Sequence, residues 1–124
     1  MKMNFATKAI ENLEAAELLF EKQKYDASAN RAYYAAFHAA IAALATAEIP
    51  IEGISHEALQ ARFSGELIRR RKVYPAHFRS YLIELQSVRD DADYGSEFIS
   101  KKAAERQLKK AKEFVRAIRQ EIFS

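Results

Sequence analysis

Two stretches of this chain place chemically capable side chains where an ordinary helical core has none. In SANRAYYAAFHAAIAALATA, residues 28–47, the sixteen residues from Ala32 to Ala47 carry no full charge, yet Arg31 heads the run and His38 stands inside it. At about 100° per residue, His38 lies about 20° around a helix from Arg31, and Tyr34 falls about 40–60° from both. The three share one strip. In the second stretch, Arg89 projects into an apolar stripe of Phe78, Tyr81, Leu82, Leu85, Val88 and Ala92. A guanidinium keeps its charge, so burying it without partners costs several kcal/mol. Asp93, one turn on, is the companion the spacing offers, and Asp90 and Asp91 supply two further acids.

Two readings of these arginines stay open. They are buried struts, ion-paired to the aspartates and stacked on tyrosines. Or they line a polar cleft in which the planar fork recognises phosphate. The available chemistry is arginine, histidine, tyrosine and aspartate, which suits phosphodiester chemistry without a metal: arginine stabilises charge developing at phosphorus, and histidine or tyrosine moves protons. His38, His56 and His77 have no metal-ligand spacing, and there is no Gly-rich phosphate loop or nucleophile elbow. With no cysteine in the chain, disulfides, thiolate metal sites and cysteine nucleophiles are excluded. We expect neither a metal nor a cofactor.

The elements that hold these residues read as helices. Only three glycines and two prolines interrupt 124 residues, a length that fits one domain over 1–124, and no stretch alternates apolar with polar long enough for a strand. Five helices are expected. The first covers about Asn4 to Lys22, and the second about 26–48 with Asp26 as its cap. Pro50 and Gly53 end the second. A third runs from the Ser55 cap to about Arg70, a fourth from about Ala76 to Ala92, and a last follows Ser100. In the last, Ala104, Leu108, Ala111, Val115, Ile118 and Ile122 recur at helical spacing with bases around them. Short links make an all-α, up-and-down antiparallel bundle the natural fold. The alanine-rich flank of the second helix permits close approach, either by another helix or by a second copy of the chain.

The uncharged run spans about 24 Å as a helix, short of the roughly 30 Å of a membrane's hydrocarbon. More than half of it is alanine. A buried helix is the better reading, and no membrane association is expected. The acids among the first twenty residues argue against a secretory leader, so a cytoplasmic protein is expected. Charge is segregated: residues 62–79 sum to +5, 84–97 to −4 and 101–119 to +6 within a chain of net +3. The connector bases Arg69, Arg70, Arg71 and Lys72 form a candidate basic patch, either a nucleic-acid contact or a solvated loop.

The stretch SANRAYYAAFHAA resembles the S-R-A-Y-Y-A-x-F-H-A-A signature of small prokaryotic HEPN-domain proteins. RDDADYGSEFISKKAAERQLKKAKEFVRAI resembles the same family's R-x-x-A-D-Y segment and closing helix. The likeness covers residues 5–122. It implies a helical bundle, commonly a homodimer, often encoded beside a minimal nucleotidyltransferase in toxin–antitoxin-type pairs. Active members of the family are metal-independent ribonucleases whose R-x(4–6)-H motif sits late in the bundle, two copies meeting across the dimer cleft. Arg89 matches the motif's arginine, but the three positions allowed for histidine hold Tyr94, Gly95 and Ser96. A phenol, with a reference pKa of about 10, is a poor base at neutral pH. It can still stack on a base, bond a phosphate, or accept a nucleotidyl group from the partner enzyme. Arg31 and His38 also fit R-x(6)-H, on the earlier helix, where the family pattern does not place the nuclease site.

Three functions follow for test. The first is a HEPN binding module for a nucleotidyltransferase, RNA or a nucleotide. The second is a ribonuclease toxin, with Arg89, Tyr94 and His38 as candidate catalysts. The third is a structural oligomeric bundle. In the first two, the binding cleft comprises Arg31, Tyr34, His38, Arg89, Asp93 and Tyr94.

Overall fold

The computed structural model describes residues 2–124, with side chains from Asn4 onward. Five α-helices follow in order: α1 (Lys2–Glu21), α2 (Tyr25–Thr46), α3 (His56–Arg62), α4 (His77–Tyr94) and α5 (Lys101–Ile122), with no strand among the described residues. The fold is all-α. Cross-links between neighbours fix their directions. Ser28 Oγ donates to Ala16 O at 2.8 Å, while Phe5 at the other end of α1 stacks on His38, so α1 and α2 run antiparallel. Asn30 meets Asp93 and Tyr34 meets Arg89, which sets α4 antiparallel to α2. Tyr81 and Glu84 of α4 reach Glu113 and Lys110 of α5 in the same up-and-down sense.

The centre of the bundle is α2, packed against α1, α4 and α5. Its alanines 32, 35, 36, 39, 40, 42 and 43 are all buried. Ala39 and Ala42 face Ala6 and Ala9 of α1 and Val115, Ile118 and Ile122 of α5. The small-residue flank is therefore taken up inside the chain; of the two uses open to it, intramolecular packing holds. Larger side chains fill the rest of the core, chiefly Tyr33, Phe63, Phe78, Phe114, Leu59 and Leu82.

Two expected caps are present. Ser55 Oγ accepts from Ala58 N at 3.1 Å, and Ser100 Oγ accepts from Ala103 N at 3.1 Å, each satisfying one of the unpaired amides of a helix start. Asp26 is not a cap. The helix begins one residue earlier, at Tyr25, with Lys24 in the cap position. The Asp26 carboxylate instead accepts from Ile99 N at 2.7 Å, so it ties the α4–α5 loop to the start of α2.

The third helix is also not uniform. After seven α-helical residues it widens into a π-helical segment, Phe63–Arg70. Leu59, Phe63 and Leu67 are all buried. A row spaced by four residues drifts about 40° per step on an α-helix. The π turn, with its i→i+5 bonds, holds more than four residues and turns the row back toward the core.

At the end of α4, Gly95 N donates to Asp91 O at 2.8 Å, and a Cβ on Gly95 would lie 2.4 Å from that same oxygen. Only glycine fits this stop. It leaves Tyr94 as the last residue of the helix.

Candidate functional site

Arg31 and Arg89 come from different helices and meet around one ring. The Arg31 Cζ lies 5.1 Å and the Arg89 Cζ 5.3 Å from the centre of the Tyr34 ring. A continuous polar chain joins them. Arg31 Nη1 donates to Asn12 Oδ1 of α1 at 2.8 Å, and its Nε donates to Asn30 Oδ1 at 2.9 Å. Asn30 Nδ2 donates in turn to both carboxylate oxygens of Asp93, at 3.2 and 3.0 Å. Asp93 Oδ2 stands 2.9 Å from Arg89 Nε, an ion-pair contact off the line that a hydrogen bond needs. Arg89 completes its set with Asp90 Oδ1 at 3.2 Å and the Tyr34 hydroxyl at 3.0 Å.

The Arg89 side chain is only 15% exposed. Burial by itself weakens its charge, but Tyr34, Asp93, Tyr94 and Asp90 together outweigh that and hold the guanidinium above its ordinary pKa. Two arginines facing two aspartates leave this cluster with no net charge.

His38 stands on the α1 side of the strip. Its ring stacks on Phe5, centroids 6.2 Å apart, and its Nδ1 lies 2.8 Å from Tyr34 O. A carbonyl only accepts, so Nδ1 carries the proton and Nε2 keeps a lone pair in the neutral ring. Burial, aided by the charges of Lys8 and Arg31, pushes its pKa below the ordinary 6.5, against the opposing bond to Tyr34 O.

Tyr94, by contrast, is 78% exposed. Its ring centre lies 5.8 Å from Arg89 Cζ. Of the six residues expected in one cleft, Arg31, Tyr34, Arg89 and Asp93 form one bonded cluster. Tyr94 caps it from the solvent side, and His38 is joined to it through the Tyr34 backbone and a longer, 3.5 Å contact of its Nδ1 with Asn12 Nδ2.

Sequence reasoning missed the second histidine of this region. His56 Nδ1 is bonded to the hydroxyl of fully buried Tyr33, and the two rings stack 5.5 Å apart at 20°. Arg89 Cζ lies 6.0 Å from that Tyr33 ring. Burial and the nearby Arg89 charge push the His56 pKa down, against Asp90. Asn12 and Asn30 were missed as well. Nothing local marks either asparagine, but His56 directly after a helix-capping serine was a signal that its ring enters the bundle from a helix start.

The four connector bases do not act together. Arg70 and Arg71 lie 3.0 and 3.6 Å from Glu66, whereas Arg69 and Lys72 line a separate cleft with Arg79. Among the described residues no three His, Asp or Glu side chains converge as metal ligands do, and no helix is long and apolar enough to cross a membrane.

The family model of the HEPN domain matches residues 4–121. The chain belongs to the HEPN family. This HEPN protein is 31% identical over 118 residues to "Putative toxin MJ0142" of Methanocaldococcus jannaschii, an alignment covering 94% of this chain and 78% of that one. The bundle is thus a HEPN bundle, and the Arg31–Arg89 cluster is a feature of the seam between α1, α2 and α4.

Proposed function

We propose that this HEPN protein is the binding half of a toxin–antitoxin-type pair, a homodimeric module that associates with a minimal nucleotidyltransferase and binds RNA or a nucleotide. In this reading it does not cut RNA through Arg89. The observation that carries the proposal is Tyr94: five residues beyond Arg89, where the motif of the family's ribonucleases has histidine, stands a phenol with most of its surface in solvent. The engagement of Arg89 by Asp90, Asp93 and Tyr34 supports it further, because an arginine so paired is a strut more than an open phosphate clamp. The name of the archaeal relative supports the toxin–antitoxin setting.

Tyr94 is the acceptor in this scheme. Its hydroxyl oxygen attacks the α-phosphorus of a nucleoside triphosphate held by the partner enzyme, pyrophosphate leaves, and the phenolic proton passes to a base of that enzyme. The test is intact mass after incubation with a minimal nucleotidyltransferase and ATP. The expected result is a gain of one nucleotidyl group, absent in Tyr94→Phe, together with intact RNA after incubation in EDTA. RNA cleavage in EDTA that disappears in Arg89→Ala would overturn the reading.

One observation favours a second reading, a metal-independent ribonuclease. The bond from His38 Nδ1 to Tyr34 O leaves the Nε2 lone pair free to act as a general base. There His38→Ala abolishes cleavage while the fold survives.

A further inference from the structure

A concavity with an apolar wall of Ala61, Ile68 and Ala76 and a rim of cations lies at the opposite end of α4 from Tyr94. It is a cleft of about 870 Å³ between the π-helical segment, the connector and the first turn of α4, lined among others by Ser64, Gly65, Arg69, Lys72, Tyr74 and Arg79. That size falls within the roughly 300–1,000 Å³ of small-molecule sites. Arg79 and Arg89 are ten residues apart on one helix, about 15 Å along its axis, so this cleft is distinct from the Arg31–Arg89 cluster.

Its charges are unlike those of the neighbouring bases. Three cations line it and no carboxylate does. Among the described residues, Arg69, Lys72 and Arg79 make no ion pair and no side-chain hydrogen bond. Arg70 and Arg71, in the same run, are both committed to Glu66. The backbone sorts them. Lys72 sits in the left-handed region at φ 54°, which costs a non-glycine residue of order 1 kcal/mol and is held there by Arg71 N donating to Glu66 O and Val73 N donating to Leu67 O. That bend brings Lys72 to the same rim as Arg69 and Arg79. Arg69 Nη2 lies over Gly65, 3.5 Å from where a Cβ would stand.

The floor is rigid. The Tyr74 ring is 7% exposed and stacked between Phe63, at 5.4 Å, and Phe78, at 6.2 Å. So deeply seated, it offers no face for a base to stack on. Apart from the Tyr74 hydroxyl, Ser64 is the one uncharged polar side chain lining the cleft, too little to read a base edge. The cleft reads charge, and three separate cations match more than one phosphate.

We propose that this cleft is an anion site for a ligand carrying two or more adjacent phosphates, such as the di- or triphosphate of a nucleotide. The choice of a nucleotide rests on the function proposed above; the anion site itself does not. The probe is inorganic tripolyphosphate, with ATP and a single-stranded oligonucleotide lacking a terminal phosphate as further arms, followed by calorimetry at low and moderate salt.

Tripolyphosphate and ATP are expected to bind with similar affinity. Arg79→Gln and Lys72→Gln each weaken both by about tenfold, the loss of one charge-assisted contact. Arg70→Gln removes the same charge from the same run and leaves affinity within about twofold, because Arg70 does not line the cleft. Tyr94→Phe leaves it unchanged, so failure of the Tyr94 scheme and failure of this site are read separately. Equal weakening by Arg70→Gln and Arg79→Gln, or no binding of tripolyphosphate, overturns the proposal. Oligonucleotide binding as tight as that of tripolyphosphate, and equally sensitive to Arg79→Gln, overturns adjacent phosphates as the ligand and assigns the cleft to the RNA backbone.

Discussion

The polar chain between Arg31 and Arg89 makes a quantitative claim about Asp93. Replacing it with alanine removes the only carboxylate at Arg89 Nε and both acceptors of Asn30 Nδ2. Breaking a fully buried ion pair costs about 3–5 kcal/mol, whereas an exposed pair contributes about 0–1 kcal/mol. Arg89 is 15% and Asp93 26% exposed, and Asp90 stays 3.2 Å from Nη1. The cost of Asp93→Ala therefore falls between the two limits, at about 1.5–2.5 kcal/mol. In a chain of 124 residues that corresponds to a Tm lower by about 5–12 °C.

Thermal melting followed by circular dichroism measures this, with a urea titration to show that m is unchanged. Arg89→Met completes a double-mutant cycle. In Arg89→Met/Asp93→Ala neither charge is orphaned, so the double variant loses less than the sum of the singles, by about 1 kcal/mol or more. If Asp93→Ala melts within about 1 °C of the parent, or the two losses simply add, the cluster is solvated and does not hold the seam.

Three further outcomes are expected. Gly95→Ala places a Cβ 2.4 Å from Asp91 O, and the forced shift lowers stability by about 1–3 kcal/mol, read as a lower urea midpoint. Ser100→Ala removes the bond accepted from Ala103 N and costs about 1 kcal/mol by the same measurement. His38 and His56 both have folded pKa values pushed below 6.5, so the unfolded chain binds more protons than the folded one. Their contribution is present above about pH 6.5 and is lost as pH falls through that value toward the folded pKa values. Tm should drop from pH 7.5 to 5 and drop less in His38→Gln; an imidazole NMR titration placing His38 at or above 6.5 would contradict this.

The helices were legible because their stripes are strong and their links short. Ser55 and Ser100 announced two starts correctly. Asp26 did not, because a carboxylate in a first turn can cap its own helix or reach a loop, and the loop that claims it lies 73 residues on. The π-helical widening was hidden because Leu59, Phe63 and Leu67 fit a four-residue repeat on either kind of helix. In the site, helical geometry placed Arg31, Tyr34 and His38 on one strip, and the partnership of Arg89 with Asp93 followed from their spacing. What the strip could not reveal is that its members answer to different neighbours: His38 to Phe5 of α1, Tyr34 to Arg89 of α4, and Arg31 to asparagines on two helices. The connector showed the same limit. Four consecutive bases look equivalent until a backbone bend and one glutamate divide them.

The alanine packing of α2 has a mechanical consequence. A methyl group has no rotamers, so the alanine flank of α2 cannot itself absorb a local push by turning a side chain. The alanine flank of α2 therefore leaves side-chain adjustment to its neighbours, Val115, Ile118 and Ile122 of α5.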